Sequence, residues 1–93
     1  HAVYIAAKAG LEILTRSLAR DLAPEVRVNG ISPGAILWPE GELDAATKDK
    51  ILDSIPLKRK GNPQDISDCV LFLVNSASYI SGQIISVDGG KSI

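Results

Sequence analysis

The chain has 93 residues, 45% of them hydrophobic and 23% charged, with a net charge of −1 and a single cysteine. This composition fits a globular chain, and the near-neutral charge offers no clustered basic surface for a polyanion, so nucleic acid is not an expected partner. Cys69 alone excludes an internal disulfide, and no apolar run approaches the roughly 18–20 residues that span a bilayer, so no membrane partner is expected and the expected setting is cytoplasmic.

In chain order, Val3 to Leu22 reads as a helix, because Leu11, Leu14, Leu18 and Leu22 recur at three- and four-residue spacing before Pro24 stops the pattern. Val26 to Ile31 alternates apolar with polar or small residues and carries β-branched side chains, which predicts a strand ending at Ser32-Pro33-Gly34. Ala35 to Glu42 is read as a loop, after which Asp44 caps a short helix reaching about Ser54, with Pro56 closing it. Asn62-Pro63-Gln64-Asp65 is a strong helix start, and the helix is expected to reach about Asn75 with Ile66, Val70, Leu73 and Val74 on its apolar face. A second strand follows from Gln83 to Val87, ended by Asp88-Gly89-Gly90.

The order helix, strand, helix, helix, strand is that of an α/β fold. Two strands joined through helices are expected to run parallel, yet parallel sheets are stable only with both faces covered, and two strands are too few. A chain this short also buries only about 60–65% of its unfolded surface. The sequence opens at His1 and runs directly into a helical pattern. The expectation is therefore the C-terminal part of a larger doubly wound parallel sheet.

Tyr4 and Lys8 lie four residues apart on the first helix and so share one face, a turn from each other. A phenol, with a pKa near about 10, exchanges protons poorly at neutral pH unless a nearby cation favours the phenolate. Lys8 can be that cation. Such a Tyr can neutralise the charge left on a substrate heteroatom after hydride transfer. The spacing alone is not specific, since Tyr and Lys meet this way in many helices whose Lys is merely solvated.

The surrounding sequence is more specific. Tyr4-Ile5-Ala6-Ala7-Lys8-Ala9-Gly10-Leu11, Leu14-Thr15-Arg16-Ser17-Leu18-Ala19, Arg27-Val28-Asn29, Pro33-Gly34, Pro56 to Asp65, Tyr79-Ile80-Ser81-Gly82 and Val87-Asp88-Gly89-Gly90 follow in order over essentially the whole chain. Together they resemble the second half of the short-chain dehydrogenase/reductases. The resemblance implies a Rossmann fold, of which residues 1–93 would be the C-terminal portion of a single NAD(P)-binding domain, without the Gly-rich nucleotide-binding half and without the third catalytic residue. It implies Tyr4 as general acid/base, Lys8 as the group that binds the nicotinamide ribose and lowers the Tyr pKa, and Pro33 and Gly34 as lining of the nicotinamide. Many members of the family have a cofactor-contacting Thr where this chain has Trp38, and backbone groups near Ile36 are expected to take its place. Ala6, Ala7 and Gly10 would permit the close helix packing of the family's subunit interface, in a homotetramer.

Gly34-Ala35-Ile36-Leu37-Trp38-Pro39-Glu40 looks like the bacterial pteridine reductase branch, which implies NADP(H) as cofactor and a dihydropteridine, or dihydrofolate, as substrate, with Tyr4 and Trp38 beside it. Trp38 packs near a flat pterin on this reading and simply covers the sheet edge on the other. Rival expectations are another carbonyl reductase of the family, such as a 3-oxoacyl-(acyl-carrier-protein) reductase, which would need a basic docking patch, and a non-catalytic assembly module; Lys58, Arg59 and Lys60 are three basic residues, but Pro56-Leu57 and Gly61 frame them as a turn, and a structural or solvated role is expected for them. Cys69 is expected as a packed, inert thiol, and His1 has no partner at metal-ligand spacing, so no metal is expected.

Overall fold

The computed structural model describes residues 2–36 and 43–93. Helix α1 runs over Ala2–Asp21, strand β1 over Gly30–Pro33, α2 over Ala45–Asp53, α3 over Pro63–Asn75 and β2 over Ile84–Val87. The expected element order and both helix starts at Asp44 and Asn62 hold. β1 and β2 form a two-stranded sheet. Gly30 N donates to Gln83 O at 2.8 Å and Gly34 N to Val87 O at 2.9 Å, a constant offset that makes the pair parallel. Among the described residues no helix is long and apolar enough to cross a membrane.

Two compact units make up the chain, His1–Gly30 with Leu71–Ile85, and Ile31–Val70 with Ser86–Ile93. In the first, α1 packs through small residues. Ala19 stands opposite Gly82 and Thr15 opposite Gly30, close enough that a Cβ on either glycine would lie 3.5 Å and 3.8 Å from them. Thr15 and Ala19 are buried, as are Leu73, in the last turn of α3, and Ala77 just beyond it. The Thr15 hydroxyl donates to Leu11 O one turn back, so its burial leaves no unsatisfied donor.

This corrects the expected apolar stripe of α1. Leu11, Leu14, Leu18 and Leu22 are exposed, because the glycine backbones admit only small side chains. On α3, Leu73 is buried and Ile66 half-buried, but Val70 and Val74 are exposed. Cys69 is half-buried, beside the exposed Leu71 and Phe72.

β1 also starts later than expected, at Gly30 rather than Val26. Residues 27–29 are held by one backbone bond, Gly82 N to Val28 O at 2.7 Å, and by side chains. Arg27 donates through Nη1 to Ala77 O at 2.8 Å and through Nη2 to Leu73 O at 2.8 Å, engaging carbonyls that the end of α3 leaves without helical partners. Asn29 donates to Ile80 O and accepts from Gln83 N, and Val28 N donates to the Ser81 hydroxyl.

The second unit has Ile55 as its most buried side chain, 2% exposed. After β2 the chain turns through Gly89 and Gly90, with φ of 65° and 90°, where an L side chain would be strained. A Cβ on Gly89 would also stand 2.7 Å from Ile55 Cγ2. The Asp88 carboxylate accepts from Gly90 N at 3.0 Å and Ser92 N at 3.1 Å and fastens the last residues to the turn. Its pKa is held below the ordinary value by hydrogen bonding to Ser92 and then Gly90.

Candidate functional site

In the first unit Tyr4 and Lys8 lie in the first half of α1, a helix favoured by the run of alanines around them. Both are exposed, Tyr4 by 64%. Ala6, Ala7 and Gly10 are exposed on the same stretch, and a Cβ on Gly10 would meet nothing within 4 Å.

In the second unit Pro33 is the last residue of β1, and Gly34 follows it on the ladder. Gly34 is required by contact. A Cβ there would stand 2.7 Å from Asp88 Cβ and 2.8 Å from Asp88 Cα. Ala35 and Ile36 line a cleft of about 540 Å³ together with Ile55, Leu57, Arg59 and Asp65. Ala35 O accepts from Gly61 N at 2.8 Å, and Ile36 O from Lys60 Nζ at 3.4 Å. Trp38 and His1 lie outside the described residues.

The turn bearing Lys58, Arg59 and Lys60 is built for local structure rather than as an open basic patch. Lys58 holds φ of 59° and donates to Asp53 O, and Arg59 pairs with Asp65 at 3.2 Å. Asp65 also accepts from Asn62 N at 2.9 Å while Asn62 Oδ1 accepts from Asp65 N at 3.1 Å, a reciprocal cap on α3. The Asp65 pKa is lowered, first by the Asn62 backbone and then by Arg59. The order Asn-x-x-Asp signals this cap in the sequence. The reach of Gly61 to Ala35 and the fork of Arg27 have no local signal, because their partners are distant in sequence. Among the described residues no group of three or more His, Cys, Asp or Glu side chains is placed to hold a metal ion.

Residues 1–92 match the family described as enoyl-(acyl carrier protein) reductase. The dihydromonapterin reductase of Klebsiella pneumoniae is 42% identical over 93 residues, covering 100% of this chain and 38% of that protein. The 3-oxoacyl-(acyl-carrier-protein) reductase FabG of Thermotoga maritima is 40% identical over 93 residues, 97% of this chain and 38% of its own length. Among solved structures, a short-chain dehydrogenase from Leptospira borgpetersenii with bound NAD+ superposes with a TM-score of 0.85 at 39% identity, covering 98% of this chain and 35% of that one. The chain thus spans well under half the length of the proteins it matches. Identity at this level across the whole of its length, joined to the shared α/β architecture, makes the chain a member of the short-chain dehydrogenase/reductase family.

Proposed function

We propose that the whole protein is an NAD(P)H-dependent oxidoreductase, in which residues 1–93 form the C-terminal portion of one nucleotide-binding domain. The observation that carries this reading is the Tyr4 and Lys8 pair, exposed one turn apart on α1, in a chain of this family. An exposed phenol and ammonium fit a polyhydroxylated ligand such as a nucleotide ribose. Nicotinamide, when bound, supplies the hydride. Tyr4 gives its proton to the substrate atom that becomes negative and recovers one from solvent, while the positive charge of Lys8 favours the transient phenolate. Lys8 also holds the ribose hydroxyls, and Pro33, Gly34 and the Ile36 backbone line the nicotinamide.

For the substrate we propose a dihydropteridine, with NADPH as the donor and Trp38 beside the pterin. The Gly34-to-Glu40 segment and the likeness to a dihydromonapterin reductase support it. The nearly equal likeness to a 3-oxoacyl-(acyl-carrier-protein) reductase favours a carbonyl substrate as the second reading. A homotetramer using the small-residue stretch Ala6, Ala7 and Gly10 is proposed for the assembly. The test is NADPH consumption by the whole protein offered dihydrobiopterin, dihydrofolate or a 3-oxoacyl thioester. Turnover of the pterins is expected, and turnover of the thioester alone would overturn the substrate reading. Tyr4→Phe is expected to lower turnover by about 10²–10⁴-fold while leaving NADPH binding largely intact, because only the proton donor is removed.

A further inference from the structure

The proposed reaction makes no use of the Asn29-Gly30 pair, which lies wholly within the first unit. Of the three asparagines in the sequence, Asn62 precedes Pro63, which has no amide N–H, and Asn75 precedes Ser76. Asn29 alone is followed by a residue without a side chain. A glycine nitrogen can close on the side-chain carbonyl carbon of the preceding asparagine without steric hindrance, and glycine reaches the backbone angles that this needs.

In the fold, one residue holds both reacting groups. Gly30 N donates to Gln83 O at 2.8 Å, and Asn29 Oδ1 accepts from Gln83 N at 3.1 Å. Asn29 Nδ2 donates to Ile80 O at 3.0 Å, so the side-chain amide is fixed at both ends. The lone pair left on Gly30 N by loss of its proton would point at Gln83 O, not at Asn29 Cγ. Asn29 and Gly30 are only half-buried, so the bonds rather than exclusion of water protect them.

We propose that Asn29-Gly30 is a latent deamidation site, unreactive while Gln83 and Ile80 hold it and converted when this end of the sheet opens. In the open chain hydroxide removes the Gly30 amide proton, and Gly30 N bonds to Asn29 Cγ. The bond from Cγ to the side-chain nitrogen breaks, and that nitrogen takes a proton from water and leaves as ammonia. Water then adds to either carbonyl of the cyclic imide and opens it to aspartate or isoaspartate. Nothing is oxidised or reduced, and water is the only co-reactant.

Either product prevents re-closure. At neutral pH an aspartate has no donor for Ile80 O and sets an oxygen against it. An isoaspartate carries one more carbon in the main chain, about 1.5 Å of added length, which takes Gly30 N out of line with Gln83 O. The step is therefore one-way, and it marks molecules that have opened here.

The experiment incubates the whole protein at one mildly alkaline pH, without urea and in urea up to full unfolding, and follows each asparagine by peptide mass spectrometry. In the unfolded chain Asn29 is expected to convert about tenfold faster than Asn75, because the Ser76 side chain hinders ring closure. Without urea, conversion at Asn29 is expected to be slower by about a hundredfold or more, in step with the protection of Gly30 N–H from hydrogen exchange. Asp88-Gly89 can form the same ring but loses no ammonia, so its mass does not change and the two sites are read apart. Equal conversion of Asn29 and Asn75 in urea would make Asn29 an ordinary asparagine and overturn the site. Conversion without urea within about threefold of the unfolded rate would overturn the gating. After dilution from urea, converted molecules are expected to be enriched at least about fivefold in the protease-sensitive fraction. Equal shares in the sensitive and resistant fractions would overturn the one-way step.

Discussion

At the scale of single residues, the least yielding glycine contact in the second unit is Gly34 against Asp88. Its would-be Cβ meets a backbone atom, which cannot rotate aside as a side-chain tip can. Gly34→Ala is expected to destabilise the protein by about 1–3 kcal/mol, read as a shift in the urea midpoint. Asp65 gives a pH dependence of known sign. The Asn62 N–H, and secondarily Arg59, lower its pKa from the ordinary 3.8, so its contribution is present above that value and fades as pH falls through the folded one. Asp65→Asn is expected to flatten the dependence of the unfolding midpoint on pH in this acid range. Asn62 and Asp65 are legible in the sequence because a cap is a local device with fixed spacing. Gly34 is legible only as a strand-ending residue, since Asp88, the atom group that forbids its side chain, comes from the far end of the chain.

At the scale of elements, periodicity locates the three helices to within a residue or two but misassigns the face that α1 buries. Its leucine spacing is real, yet the partners available within the chain are the backbones at Gly30 and Gly82, which accept Thr15 and Ala19. The start of β1 is misplaced for a related reason. Val26 and Val28 have strand-like side chains, but what holds this stretch is the guanidinium of Arg27 on the carbonyls at the end of α3. Arg27→Ala leaves those carbonyls without their charged donor and is expected to cost about 3 kcal/mol of stability in denaturant unfolding. Arg27→Lys is expected to recover only part of that loss, because an ammonium lacks the fork that reaches Leu73 O and Ala77 O together. The catalytic pair proposed on α1 is legible for the opposite reason, being two residues of one helix at helical spacing.

At the scale of the whole molecule, large apolar side chains face outward along α1 and α3, among them Val3, Ile5, Leu11, Leu14, Leu71, Phe72 and Val74. Apolar surface on this scale ordinarily meets a partner. The 93-residue chain prepared alone is therefore expected to bind a hydrophobic dye and to sediment as associated species at micromolar concentration. A monodisperse, dye-silent monomer would contradict that expectation.

The pairing of β1 with β2 has a kinetic consequence. Gly30 finds Gln83, and Gly34 finds Val87, only after all the intervening residues have been made. Loop closure over roughly fifty residues makes such pairing late and slow compared with the local bonds of α1 or α3. During synthesis, Gly30–Pro33 leaves the ribosome well before Ile84–Val87, and the edge that takes β2 stays unpaired until those residues follow. A ribosome that stops before Ile84–Val87 therefore releases α1 and α3 with that edge of β1 open.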